Sequence, residues 1–126
     1  MQLSAQELDA VSLAKLGDEA RMLLCAGDID TLATRFGYAL AYDRHPADAI
    51  REELASSLAE AGASRLIATG WQPPRVGYFK QNDTGLFALV ESLVPTENGA
   101  SILVEVIVAG SGTNAHATLE QVSAAV

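Results

Sequence analysis

Two carboxylates stand out by their surroundings. Glu91 interrupts the apolar run Leu86 to Val94, and Glu105 interrupts the run Ile102 to Ala109. A carboxylate set among hydrocarbon side chains is poorly solvated, so it holds its proton more tightly and its pKa rises. That is one way a general acid or base is tuned toward neutral pH. A second group is Tyr38, Tyr42, Asp43, Arg44 and His45. Phenol, carboxylate and imidazole together could polarise a carbonyl and move a proton; the competing reading is a connector in which Asp43 or His45 caps the next helix. A third group is Trp71, Pro73, Pro74 and Arg75. Tryptophan and arginine are enriched among residues that dominate binding energies. Trp71 and Arg75 are therefore the candidate partner contacts, weighed against a role for Trp71 in capping the open end of the core.

Other chemistry is limited by count. Cys25 is the single cysteine, so no internal disulfide is expected, and its apolar neighbours suggest an inert buried thiol. The two histidines, His45 and His116, are isolated from each other, and no metal site or other cofactor is expected. Gly110-Ser111-Gly112-Thr113-Asn114-Ala115 spells a dinucleotide fingerprint, but only 11 residues follow Ala115. That is too short for the helix and second parallel strand the motif needs, so a glycine-rich turn is expected.

The chain carries 16 acidic and 8 basic residues for a formal charge of −8, and residues 1–62 hold 11 of the acids. Such a field repels nucleic acid and anionic membranes and favours a basic protein partner. No apolar run approaches the ~18 residues a membrane span requires, and the first residues lack the basic start and apolar core of a secretory signal. The expected location is the cytoplasm.

The positioning elements follow from periodicity. Ser4 with Glu7 spells a capping box for a first helix, whose stripe is Leu8, Val11, Leu16, Ala20, Leu23 and Leu24. Gly17 is expected to kink or divide it, and Gly27 to end it. Asp28 starts a second helix with Ile29, Leu32, Ala33 and Phe36 inward. Residues Tyr38 to Tyr42 fit either a helical continuation or a short strand. Pro46 opens a third helix, with Ile50, Leu54, Leu58 and Ala61 inward and Gly62 at its end. Strand candidates follow at Leu66–Thr69, Val76–Lys80, Leu86–Val94 and Ile102–Ala109. Residues 115–126 fit a helix (Ala115, Leu119, Val122, Val126) or an edge strand (Thr118, Glu120, Val122). The expectation is one α+β domain over residues 1–126, three N-terminal helices packed on a curved antiparallel sheet of about four strands.

The turn Ala26-Gly27-Asp28, the helix through Phe36, and the later opening Ala47-Asp48-Ala49-Ile50 together resemble the start of nuclear-transport-factor-like proteins. These form the α+β cone also used by polyketide cyclases and ketosteroid isomerases. The resemblance covers residues 20–62 and the general layout, and it implies a helix-then-sheet cone. It carries no catalytic residue over to this chain, and fold alone implies no function.

Asn98-Gly99 predicts a two-residue hairpin turn. In that register Glu91 faces Val106 and Ser92 faces Glu105. The two glutamates then lie on opposite faces, at most one can line a one-sided pocket, and Glu91 is the preferred candidate. A one-residue slip of the turn would change which residues face each other. The apolar character of both runs predicts that both faces are covered. Two functions fit. One is a non-catalytic binding protein, such as an immunity- or antitoxin-type inhibitor of a basic partner. The other is a cone-fold enzyme or small-ligand carrier with one perturbed glutamate in an apolar pocket. The exposed strand edges are compatible with a homodimer.

Overall fold

Helix-forming residues fill the first half of the chain and β-branched residues the second, and the architecture divides accordingly. The computed structural model describes residues 1–110 and 114–125. Three helices, α1 (Ala10–Cys25), α2 (Ile29–Phe36) and α3 (Pro46–Glu60), precede four strands, β1 (Arg75–Tyr78), β2 (Leu86–Pro95), β3 (Ser101–Ala109) and β4 (His116–Ala124). The strands form one antiparallel sheet in the order β1-β2-β3-β4, not closed into a barrel.

The helix ends use local chemistry. Asp9, not Ser4, caps α1: its carboxylate accepts from the Ser12 N–H at 2.8 Å and from the Ser12 hydroxyl at 2.9 Å. The Ser4–Glu7 pair instead closes a 3₁₀ turn over Ala5–Glu7. Helix α1 ends at a left-handed Gly27, with Asp28 N–H donating to the Leu23 carbonyl, and α3 ends the same way at Gly62. Gly17 does not divide α1. It sits where the helix lies closest to the sheet: a Cβ there would come within 2.5 Å of the Ser92 hydroxyl and 2.9 Å of a Val90 methyl. Tyr38–Tyr42 is neither helix continuation nor strand but a 3₁₀ turn over Ala39–Ala41.

One face of the sheet receives the helices. Ala88, Val90, Ser92 and Val94 of β2 point inward with Ile102, Val104, Val106 and Val108 of β3. Ala117, Leu119 and Val122 join them from β4. Opposite them lie Leu13, Leu16, Leu24, Leu32, Phe36 and Ile50. Among the described residues the other face has no helix over it: Leu89, Leu103 and Ile107 are half-buried and Leu93 is 42% exposed. The expectation that both faces are covered is therefore corrected. Gln72 and Pro73 border the face beside Leu93 and Leu103, but among the described residues no helix covers it.

The predicted register is also corrected. Thr96 N–H donates to the Ala100 carbonyl and Gly99 N–H to the Thr96 carbonyl, closing a three-residue loop, Glu97-Asn98-Gly99. Only Gly99 takes a positive φ, whereas a two-residue type I′ turn needs Asn98 there as well. Asn98 is engaged elsewhere: its side-chain amide donates to the Ala61 and Gly62 carbonyls at the end of α3, 3.0 Å each. The pairing moves by one residue, so Glu91 faces Glu105 and Ser92 faces Val104. At residues 115–126 the structure decides for a strand over His116–Ala124. Glu120 is an extra residue, because Gln121 pairs with Glu105 while Leu119 pairs with Val106. Leu66–Thr69 forms no strand; Leu66 makes a single bridge to Thr96. Of the glycine-rich string, residues 111–113 lie outside the described residues, as does Val126. The strand after that string is antiparallel to the one before it.

Both sheet margins are short or occupied. Along β4, Leu3 N–H donates to the Ala115 carbonyl, Met1 exchanges bonds with Ala117, and the Ser57 hydroxyl reaches the Val122 carbonyl. At the other margin β1 is four residues long and preceded by Pro73 and Pro74, which have no N–H to extend a ladder.

Candidate functional site

The outer sheet face gathers what the sequence left scattered. A polar row crosses all four strands at one level: Arg75, Glu91, Glu105 and Gln121, each registered with the next. Leu89, Leu93, Leu103 and Ile107 flank the row on β2 and β3. Beside it lies a shallow cleft of about 330 Å³, lined by Gln72, Pro73, Arg75, Glu91, Leu93 and Leu103. The cleft is open to solvent and is not a cavity within the core.

The two carboxylates are half-buried. Residues directly opposite on antiparallel strands place their Cβ atoms about 4.5–5.5 Å apart, and like charges there repel. The carboxyl of Glu105 is held above the usual glutamate range, first by desolvation and further by the negative charges of Glu91 and Glu120. Gln121 Nε2 donates to it at 3.5 Å, a weak contact that acts the other way. Among the described residues neither Glu91 nor Glu105 takes part in an ion pair. Arg75 is exposed at the start of β1, registered opposite Glu91 but not ion-paired to it.

The Tyr38 group does not converge. Tyr38 is only 6% exposed, and its hydroxyl accepts from the Val122 N–H at 3.4 Å. Burial pushes its pKa up to about 12, with smaller contributions from Glu53 and Glu120. It is thus a neutral core phenol. Tyr42, Asp43 and His45 are exposed, and His45 precedes α3 without capping it through its side chain. Arg44 is committed to structure, donating to the Leu40 and Ala41 carbonyls and to Glu52 and Glu53. No acid–base pair results.

Trp71 faces inward. Its indole N–H donates to the Ile67 carbonyl at 2.9 Å, and the Arg21 guanidinium stacks 4.7 Å from its ring centre. Arg21 is 2% exposed, pairs with Asp18 and donates to the Leu93 carbonyl at 3.1 Å. Trp71 therefore closes the end of the core over a buried cation. Of the two partner-contact candidates, Arg75 borders the outer face and Trp71 supports it from behind.

Gln72, Leu93, Leu103 and Gln121 were not singled out from sequence. For Leu93 and Leu103 the signal was the two-residue alternation around Glu91 and Glu105, legible only in the observed register. Gln72, in the loop before β1, and Gln121, on β4, carried no such signal. Cys25 is half-buried, and desolvation raises its thiol pKa despite Arg21 nearby, which suits an inert thiol. Among the described residues no group of three or more His, Cys, Asp or Glu side chains could hold a metal ion. No helix is long and apolar enough to cross a membrane. No family model matches the chain, and comparison with curated proteins and with solved structures returns no match.

Proposed function

We propose that this chain is a non-catalytic binding protein that docks a basic protein partner on its outer sheet face. One observation carries the reading: among the described residues, an apolar sheet face without a covering layer of helices, with two carboxylates that are in no ion pair facing each other on it. Exposed apolar patches rimmed by polar residues mark interaction sites in soluble proteins. The overall charge of −8 draws a basic partner toward the surface. An inhibitor of the immunity or antitoxin type, acting in the cytoplasm, has these properties. The cone-fold resemblance of residues 20–62 neither adds to this reading nor opposes it.

The test is capture from native lysate of the source cell on immobilised chain, with Leu93→Lys as control. A basic protein retained near one-to-one by the wild type, eluted by salt and absent from the Leu93→Lys matrix is the expected result. Identical retention by both matrices would refute the reading.

A second reading, a small-ligand carrier or enzyme, is favoured by one observation: the raised Glu105 carboxyl close to the 330 Å³ cleft. Fragment screening by NMR decides it. Saturable shifts at Gln72, Leu93 and Leu103 with an uncharged apolar fragment would support a ligand site, and their absence would remove it.

A further inference from the structure

The Glu91–Glu105 pairing breaks a rule that the surrounding sheet obeys. Opposite-charge or apolar cross-strand pairs stabilise an antiparallel sheet, and like charges directly opposite destabilise it. Most other β2–β3 pairs match apolar residues, among them Leu89 with Ile107, Val90 with Val106, Leu93 with Leu103 and Val94 with Ile102, and none of the others sets two charges opposite each other. At the glutamate level the repulsion is offset only weakly among the described residues: Gln121 donates to Glu105 at 3.5 Å, and Arg75, registered opposite Glu91, forms no ion pair with it. The third acid nearby, Glu120, adds to it from the β4 bulge. Local conflicts of this kind, with so little internal compensation, mark functional positions in otherwise consistent folds.

Resting on the docking reading above, we infer that the Glu91–Glu105 pair is the seat of a single arginine side chain, presented by the protein partner from an otherwise apolar surface. Three features select that chemistry. A guanidinium is planar and offers several N–H donors in a fixed fork, so it can bridge two carboxylates at once, which a lysine ammonium does less well. It is also more weakly hydrated than an ammonium, which suits a seat surrounded by Leu89, Leu93, Leu103 and Ile107. The adjoining cleft of about 330 Å³ is at the small end for ligand sites and takes one side chain rather than a folded element.

The row also limits occupancy to one cation. Arg75 stands on the far side of Glu91 and repels a second positive charge. A second copy of this chain is a poorer occupant. Its own Glu91 and Glu105 would add two carboxylates to the same desolvated surface, where unpaired charges are costly.

The experiment is an NMR titration of the isotopically labelled full chain at neutral pH and low salt. The added ligands are N-acetyl-arginine amide and, separately, N-acetyl-lysine amide. The expected result is saturable shifts centred on Glu91, Glu105, Gln121, Leu93 and Leu103, severalfold tighter for arginine than for lysine. Glu91→Gln/Glu105→Gln should weaken arginine binding about tenfold or more while keeping a folded spectrum, since it removes a repulsion. Shifts spread over the acidic helices, equal binding of both cations, or unchanged binding by the double variant would overturn the inference. Its failure is separable from failure of docking. A captured partner released by Leu93→Lys but kept by the double variant sinks the arginine seat alone. Arginine bound at the pair, with no protein that Leu93→Lys releases, sinks the docking reading alone.

Discussion

The two faces of the sheet are built from nearly the same residues and have opposite fates. Inward lie Val90, Val94, Ile102, Val104, Val106 and Val108, each fully buried; outward lie Leu89, Leu93, Leu103 and Ile107, partly wet. Hydrophobicity does not separate them. What separates them is what each face is offered: α1 to α3 on one side and, among the described residues, no helix on the other. Polar residues follow the same logic. The one hydroxyl on the inner face of β2, Ser92 Oγ, is buried without a partner, wedged against Gly17. The carboxylates on the outer face keep contact with water. An apolar face left open is thus a property of the layering, and its carboxylates set what can dock there.

The difference between the faces can be broken most sharply by truncation. Ile102→Ala should cost about 2–5 kcal/mol, because the cavity it leaves is sealed under the helices. Leu103→Ala, one residue along, should cost less than about 1 kcal/mol. Urea unfolding of the pair decides, and equal losses would erase the distinction. The contact between α1 and β2 comes next. Gly17→Ala forces helix and sheet apart at a cost of about 1–3 kcal/mol, offset by about 1 kcal/mol of helix propensity. Ser92→Ala removes the nearest atom that the new methyl would strike, leaving the Val90 methyl at 2.9 Å, so the double variant should recover part of the loss. Strict additivity in a thermal unfolding cycle would show that the close approach is elsewhere.

Glu105 gives a smaller effect with a definite sign. Its folded pKa is raised above the usual 4.5, so protonation favours the folded state. That stability is fully present below the unfolded value and is lost as pH rises through the raised folded value. Glutamine mimics the protonated form. Glu105→Gln should therefore stabilise the chain at neutral pH, and the advantage should disappear as pH falls through that window. An advantage that grows on acidification would contradict the desolvated environment. Smallest of all, Leu93→Lys should change stability by less than about 0.5 kcal/mol. A large loss would mean that the outer face is more tightly packed than its exposure indicates.

Much of the helical half was legible because its signals are local. Pro46 at the first turn of α3, Gly62 after its end, and the inward stripe Ile29-Leu32-Ala33-Phe36 all act within a few residues. The sheet was legible as strands but not as a register. Two- and three-residue hairpin loops both accept Asn-Gly, and the choice rests on Asn98 reaching carbonyls more than 30 residues away. The final strand looked part-helical because the extra residue Glu120 places Leu119 and Val122 three apart, both inward. A bulge thereby imitates helical spacing. The candidate site shared the fate of the register: Glu91 and Glu105 were each conspicuous, but their meeting depended on one residue of slip. For Trp71 the sequence offered both a partner contact and a cap on the open end of the core, and the structure has the cap. The choice was not legible because Arg21, on which the ring stacks, lies 50 positions earlier with no local trace.

That stack has a practical corollary. Trp71 is the only tryptophan in the chain, and one guanidinium links its ring to the Leu93 carbonyl on β2. A shift of β2 on loading of the outer face would be transmitted through Arg21 to the indole. The protein thus carries an intrinsic fluorophore behind the proposed docking surface, and a change in emission is the expected label-free readout of occupancy there.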